Sequence, residues 1–201
     1  MTITYVYGDN LYVNTTNRCD CACAFWLRTT GDRVGDSGSL WLEREPSKEE
    51  ILADIQRRDL SQYRELVFCG YGEPTYRLED ILWVAEQVKG YSPIPIRMDT
   101  NGHSDLIHGK PTAHLFAGKF DILSISLNRA TAAAYQETCR SRYGESSFQA
   151  MLDFTREAVR YVPKVIMTVV DTIPPTEIEA CRQICQGLGA AYRVRTYSTQ
   201  W

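Results

Sequence analysis

The chain has 201 residues and a formal net charge of −3, and its acidic and basic residues are interspersed. A chain of this length can bury a large hydrophobic core without disulfides, so we expect a single domain over residues 1–201. The balanced charge gives no electrostatic reason to expect nucleic acid or a membrane surface as a partner. No run approaches the ~18 consecutive apolar residues that span a membrane.

The N-terminal residues 1–9 lack the basic stretch and apolar core of a secretory signal peptide. We therefore expect a cytoplasmic protein, whose seven cysteines are in a reducing compartment. There, cysteines are more often metal ligands, redox groups or small buried hydrophobic residues than disulfide partners.

Short β-branched runs alternate with longer amphipathic runs along the chain. In chain order, the pattern predicts a hairpin arm at 3–7, a strand at 11–15, a helix that opens at 46–52, a strand at 65–69, a helix at 78–89, a strand at 94–98, a helix at 112–117, a strand at 121–127, helices at 131–138 and 146–161, a strand at 164–170, a helix at 175–188 and a strand at 192–195. Pro46, Glu49 and Glu50 are typical of a helix start, and Gly187 and Gly189 are candidate C-cap residues.

Strands that alternate with helices predict parallel βαβ units, and six such units form either a doubly wound sheet or a partial barrel. A complete eight-stranded barrel usually takes about 250 residues. In both layouts, ligands bind at the C-terminal ends of the strands. The residues that follow each predicted strand are therefore the candidates for a functional site.

Cys19, Cys21 and Cys23 follow the first predicted strand. Three thiols within five residues are dense for an intracellular protein. Thiolates are soft ligands that suit iron–sulfur clusters and zinc. The sequence therefore predicts a metal centre on this loop.

Small and polar residues lie at the ends of three further strands: Gly72 and Glu73 after the second, Asn101 after the third, and Ser126 and Asn128 at the fourth. Glycine lets a ligand approach the backbone closely, and the Glu73 carboxylate suits an ammonium group. Taken alone, the glycine turn is also compatible with a phosphate at a helix N-terminus, although the Glu73 carboxylate would repel that anion.

Together, these features resemble the radical S-adenosylmethionine (SAM) superfamily. Its members carry a cysteine loop of spacing C-x3-C-x2-C after the first strand, a glycine–glycine–glutamate turn after the second, and polar SAM contacts after the third and fourth. The chain is most similar to the small TatD-associated radical SAM proteins, in the stretches 17–19, 68–75, 100–102, 124–128 and 139–144.

The resemblance implies a partial (β/α)6 TIM-like barrel that binds a [4Fe–4S] cluster and SAM and generates a 5′-deoxyadenosyl radical. This radical would act on an unknown substrate, a small molecule or a peptide, with an electron donor such as flavodoxin or ferredoxin. The implied SAM contacts are Gly72 and Glu73 for the amino group, Asn101, Ser126 and Asn128 for the carboxylate and ribose, and Phe25 or Trp26 for the adenine.

The loop departs from the family spacing at its third cysteine. Cys19 and Cys23 match the first two positions, but the third is Trp26, whose indole has no lone pair to offer iron. In one interpretation, Cys21 or an outside ligand takes the place of the missing thiolate and the cluster is functional. In the other, the protein is a degenerate, non-catalytic SAM- or metal-binding member of the family.

Cys139 is flanked by Arg140 and Arg142, whose charges favour a thiolate. Cys139 is therefore a candidate to contact the substrate or to donate a hydrogen atom. The alternative is a buried thiol beside a basic pair on the surface.

The remaining candidate ligands point to packing rather than to a second metal site. Cys181 and Cys185 share a face of a predicted helix with apolar neighbours, which favours core packing. The spacing of His103, His108 and His114 does not place them on one helical face.

Overall fold

The structure, a computed structural model, describes residues 1–23, 31–34 and 37–197. A seven-stranded sheet runs through it, and the strands follow one another in the sheet in their order along the chain. The strands are β1 (Thr4–Tyr7), β2 (Asn10–Val13), β3 (Leu66–Phe68), β4 (Ile96–Thr100), β5 (Ile122–Ser126), β6 (Lys164–Val170) and β7 (Ala191–Arg195). β1 and β2 form an antiparallel hairpin, and every later strand pairs in parallel with the strand before it.

Helices connect the parallel strands. The α-helices are α1 (Lys48–Gln56), α2 (Leu78–Lys89), α3 (Ser104–His108), α4 (Ala132–Cys139), α5 (Ser146–Ala158) and α6 (Pro175–Leu188). Short 3₁₀ helices are present at Leu60–Gln62, Pro74–Arg77 and Ala113–Phe116. Within the described ranges, no helix has the length and apolar character needed to cross a membrane.

The ends of α1 and α6 show which of the predicted capping residues cap a helix. α1 has Ser47 as its N-cap, and the Glu50 carboxylate accepts a bond from the Ser47 N–H at 2.8 Å in a capping box. Pro46 therefore precedes the helix rather than opening it. Gly189 is the C-cap of α6, with φ of 74°, whereas Gly187 lies inside the helix.

The core lies between the sheet and the helices. All three residues of β3 are 0% exposed, and Phe68 packs edge to face against Phe120 with ring centroids 5.5 Å apart. The same cluster of buried residues draws on α1, α2, α4, α5 and α6. This packing holds the parallel strands so that their C-terminal ends lie along one rim of the sheet.

The predicted α/β fold is confirmed. β2 to β7 are six consecutive parallel strands with helical connections, which is the arrangement of a partial (β/α)6 TIM-like barrel. β1 and β7 lie at the two edges of the sheet, so the barrel is open. The predicted hairpin arm is β1.

Candidate functional site

A cavity of about 550 Å³ lies at the C-terminal ends of the parallel strands, within the size range of small-molecule sites. Residues that the sequence singled out line it: Cys19, Cys21, Cys23, Gly72, Glu73, Asn101, Ser126, Asn128 and Cys139. Phe25 and Trp26 lie outside the described residues. The fold therefore brings together every predicted site residue that the structure describes.

Gly72 positions the cysteine loop. A Cβ atom at this residue would lie 2.6 Å from the carbonyl oxygen of Arg18, and closer still to that of Thr16. Next to it, the Glu73 N–H donates to the same Arg18 oxygen at 2.8 Å. The close approach of the two strand ends therefore requires glycine here, in addition to any contact with a ligand.

The end of α4 holds the cysteine loop from the other side. The Ala22 N–H donates to the Cys139 carbonyl oxygen at 3.0 Å, and the Arg142 N–H donates to the Asp20 carbonyl oxygen at 2.8 Å. These two backbone bonds fix the loop against the segment that follows α4.

Thiols are concentrated in the cavity wall, which contains Cys19, Cys21, Cys23, Cys69 and Cys139. Within the loop, the Cys21 N–H donates to Sγ of Cys19 at 3.4 Å. The hydrogen bond with Cys21, together with burial, raises the pKa of the Cys19 thiol. The hydrogen bond with Cys139 has the same effect on the pKa of Cys23. A metal bound here would displace protons from the thiols, because thiolates are the ligands.

Asp20, His103 and Tyr135 form a buried polar network beside the thiols. Nδ1 of His103 lies 2.5 Å from the Asp20 carboxylate, and both side chains are 0% exposed. The Tyr135 hydroxyl lies 3.0 Å from Nε2 of the same imidazole. With a proton on Nδ1, the ring donates to the Asp20 carboxylate. Burial alone would raise the pKa of Asp20, but the hydrogen bond and charge of His103 outweigh it and lower that pKa.

Cys21 is next to this network. Its Sγ lies 3.8 Å from the Asp20 carboxylate and 3.9 Å from Nδ1 of His103. The ligand atoms of the three residues lie within 4.8 Å of one another, so this is also a donor set for a divalent ion. In the structure, however, Asp20 and His103 are bonded to each other.

Asn101 joins the network to the strand ends. Its side-chain amide donates to Asp20 Oδ1 at 2.7 Å, and its Oδ1 accepts from the His103 N–H at 3.0 Å. Its backbone N–H donates to Oε2 of Glu73 at 2.8 Å. The side-chain NH2 group and Oδ1 of Asn101, a predicted SAM contact, therefore both have partners within the protein.

Glu73 is 3% exposed and is held by four hydrogen bonds. Oε1 accepts from the Thr75 N–H and hydroxyl and from the Thr100 hydroxyl, and Oε2 accepts from the Asn101 N–H. Burial raises the pKa of the carboxyl group, and these bonds oppose that rise. Because Oε2 accepts a single bond among these, it has acceptor capacity for a donor in the cavity.

Asn128 presents an unpaired oxygen at the end of β5. Its Nδ2 donates to Sγ of Cys139 at 3.3 Å, whereas its buried Oδ1 has no hydrogen-bond partner among the described residues. Leaving a buried acceptor unpaired costs about 1–3 kcal/mol, so this atom is a candidate contact for a ligand. Ser126 lines the cavity beside it.

The far end of the cavity is rich in arginine. Arg97 forms ion pairs with Glu65 at 2.7 Å and with Asp99 at 3.0 Å. Arg193 on β7 donates to the Ser124 hydroxyl at 3.2 Å. This end is therefore suited to polar groups of a ligand.

Sequence reasoning missed Asp20, His103 and Tyr135 as members of the site. Asp20 lies between two of the cysteines, and His103 follows Asn101 by two residues, so both were close to predicted positions. Tyr135 had no sequence signal, because it approaches the site from a helix. Cys181 and Cys185 are both 0% exposed in the core, as predicted.

The chain matches the family model described as Radical SAM superfamily over residues 13–184. The chain belongs to the radical SAM superfamily. Its cysteine loop, glutamate turn and polar strand ends all lie within the matched region. No curated protein sequence matches the chain.

Solved structures share the fold of this radical SAM chain. SuiB of Streptococcus suis bound to S-adenosylmethionine has a TM-score of 0.67 at 16% identity, which covers 93% of this chain and 40% of that chain. A radical SAM methyltransferase from Sphaerobacter thermophilus has a TM-score of 0.66 at 16% identity, and the match covers 96% of this chain and 57% of the methyltransferase chain. HydG, the FeFe-hydrogenase maturase from Carboxydothermus hydrogenoformans, has a TM-score of 0.60 at 12% identity, and the match covers 96% of this chain and 46% of the HydG chain.

These similarities establish the fold. The radical SAM chain spans 40% of the length of SuiB and 57% of that of the methyltransferase, so the activities of those longer proteins are not transferred to it.

The family implies a [4Fe–4S] cluster and SAM, and the residues present fit both groups. Five cysteines line the cavity, and their thiols are a soft donor set suited to iron–sulfur clusters. The unpaired Oδ1 of Asn128 and the spare acceptor capacity of Glu73 suit a ligand with hydroxyl and ammonium groups.

Proposed function

We propose that this chain binds a [4Fe–4S] cluster and SAM in the strand-end cavity and generates a 5′-deoxyadenosyl radical that acts on an unknown substrate. The observation that carries the proposal is the convergence of the cysteine loop with Glu73, Asn101 and Asn128 in one cavity. Cys19 and Cys23, at the family spacing, are two of the cluster ligands. The third thiolate comes from Cys21 or from Cys139.

The bound cofactors supply the radical chemistry, and the protein binds and orients them. Glu73 directs Oε2 to the methionine ammonium group of SAM. Oδ1 of Asn128 accepts from a ribose hydroxyl, with Ser126 beside it. Asn101 acts chiefly by holding Glu73 and Asp20, and Phe25 remains a sequence prediction for the adenine contact. The SAM-bound structure of SuiB, which has the same fold, supports a SAM site in this cavity.

The finer assignment to the TatD-associated group rests on sequence stretches that also border the cavity. Residues 68–75, 100–102 and 124–128 are the ends of β3, β4 and β5, where the proposed SAM contacts lie. The substrate is a small molecule or a peptide, and an external flavodoxin or ferredoxin supplies the electron.

The second candidate function is a non-catalytic SAM-binding protein without a stable cluster. The observation that favours it is Trp26, which replaces the third cysteine of the family spacing. In this case the cavity would bind SAM through the strand ends, and iron would bind weakly.

Anaerobic reconstitution separates the two functions. The wild type should take up about four irons and four sulfides per chain, with visible absorption from thiolate-to-iron charge transfer. Cys19→Ala should lose the cluster, and Cys185→Ala, which removes a core thiol away from the cavity, should retain it. Iron near zero in wild type, appearing only in Trp26→Cys, would overturn the catalytic proposal. Calorimetric titration with SAM tests the cofactor site, and absent binding would overturn both functions.

A further inference from the structure

We propose that Cys139, at the C-terminal end of α4, supplies the third cluster thiolate that the cysteine loop lacks at position 26. This inference rests on the proposed function, because it names the ligand set of the same cluster. In the resulting site, Cys19, Cys23 and Cys139 hold iron, and Cys21 anchors the loop in the buried polar network.

The first support is the position of the Cys139 thiol. It is 1% exposed and lines the same cavity as the thiol of Cys23. The backbone of Cys139 is tied to the loop by the bond from the Ala22 N–H at 3.0 Å. A thiol fixed to the loop through its own backbone is held at a defined position relative to Cys23.

The second support is the backbone around Cys139. Among the described residues other than glycine, those with positive φ are Asn128, at 59°, and Arg140, at 49°. Arg140 directly follows Cys139, and Asn128 donates to its Sγ at 3.3 Å. Such conformations cost on the order of 1 kcal/mol or more and cluster at functional sites. Both strained residues border this one thiol.

The third support is the hydrogen bond from Asn128 to the sulfur. Amide donors to coordinating sulfurs stabilise the thiolate and tune iron–sulfur clusters. The same side chain keeps Oδ1 unpaired at the cavity. Asn128 is therefore placed to contact both a cluster thiolate and the bound SAM.

The surroundings of Cys21 argue against its use as the third ligand. Its Sγ also accepts from an amide, that of Asn101, but at the longer distance of 3.6 Å. The same Sγ lies 3.8 Å from the carboxylate of Asp20, and a thiolate there would face a like charge in a buried site. In addition, the C-x-C-x-C spacing of Cys19, Cys21 and Cys23 is tighter than the C-x3-C-x2-C spacing of the family, so these three thiols would need a different loop path to reach three irons. Cys139 approaches from another part of the chain and does not depend on that spacing.

The decisive experiment measures iron and sulfide after anaerobic reconstitution of the full chain and its variants. We expect Cys139→Ser to lose at least half of the wild-type iron and Cys21→Ala to retain most of it. Cys181→Ser is the matched control, because it changes a core thiol on α6. Circular dichroism and thermal unfolding of each apo variant show whether the fold is intact. The electron paramagnetic resonance spectrum of the reduced cluster should also change in Cys139→Ser and stay the same in Cys181→Ser.

A rescue variant separates loss of a ligand from loss of the fold. Trp26→Cys, added to Cys139→Ser, restores the family spacing and should restore iron to the wild-type level. Wild-type iron in Cys139→Ser, or its loss in Cys21→Ala with an intact fold, would overturn the inference while leaving the proposed function standing. Failure of the rescue in a folded double variant would also overturn it. A wild type that takes up no iron would overturn the proposed function and this inference with it.

Discussion

The buried pair of Asp20 and His103 leads to the most direct stability prediction. His103→Leu removes the ring that lies 2.5 Å from the Asp20 carboxylate and 3.0 Å from the Tyr135 hydroxyl. The carboxylate would remain buried, with the Asn101 amide and the weakly donating Cys21 thiol as its side-chain donors. Removing one partner of a buried ion pair costs about 3–5 kcal/mol.

The cost corresponds to a large shift of the melting temperature. In a domain of this size, 1 kcal/mol lowers Tm by about 2–4 °C, so His103→Leu should lower it by roughly 6–20 °C. The assay is thermal unfolding of the apo protein under reducing conditions, followed by circular dichroism. His114→Gln, at an exposed position, is the control and should leave Tm almost unchanged.

A double-mutant cycle isolates the pair itself. Asp20→Asn should also be destabilising, but the double variant should lose less than the sum of the two single losses, because neither variant partner is then left charged and unpaired. A drop in Tm of less than about 2 °C for His103→Leu would refute the reasoning, as would strictly additive losses.

The remaining predictions concern packing and an ion pair away from the network. Gly72→Ala should cost about 1–3 kcal/mol and reduce iron uptake, because its Cβ would displace the cysteine loop. Gly187→Ala, where a Cβ meets nothing within 4 Å, should instead stabilise α6 by about 0.5–1 kcal/mol in urea unfolding, and equal effects of the two variants would contradict this account. The hydrogen bond from Arg129 lowers the pKa of Glu177 from its ordinary value of 4.5. The ionised carboxylate therefore stabilises the fold above pH 4.5, and this stabilisation is lost as the pH falls through the lowered pKa. Glu177→Gln should therefore be less stable than wild type at pH 7, with a difference that shrinks below pH 4.5; a constant difference across urea titrations would rule this out.

The sequence predicted the strands well because their signal is local. β6 was predicted at 164–170 and is found at Lys164–Val170, since a continuous apolar run between charged residues describes a strand buried on both faces. The helix α3 (Ser104–His108) was missed, because five residues are too few to show helical periodicity. The region predicted as a helix at 112–117 is a 3₁₀ helix at Ala113–Phe116.

The site was predictable to the extent that it follows from strand ends. Once the strands are parallel, the residues after each strand must meet at one rim, which brings Glu73 and Asn128 to the cysteine loop. The network of Asp20, His103 and Tyr135 was not predictable in this way. Its bonds join residues 83 and 32 positions apart, and one partner is on a helix face whose orientation depends on tertiary packing.

The network of Asp20, His103 and Tyr135 is structurally connected to the proposed ligand Cys139. Tyr135 and Cys139 are four residues apart on α4 and therefore share a face of the helix. Through His103, Tyr135 ties that face to Asp20, whose carbonyl oxygen also accepts the Arg142 N–H. If Cys139 completes the ligand set, the His103 imidazole keeps the end of α4, which carries Cys139, close to the cysteine loop, which carries Cys19 and Cys23. His103→Leu should then lower the iron content of reconstituted protein as well as Tm, and a folded His103→Leu with full iron would limit the network to a structural role.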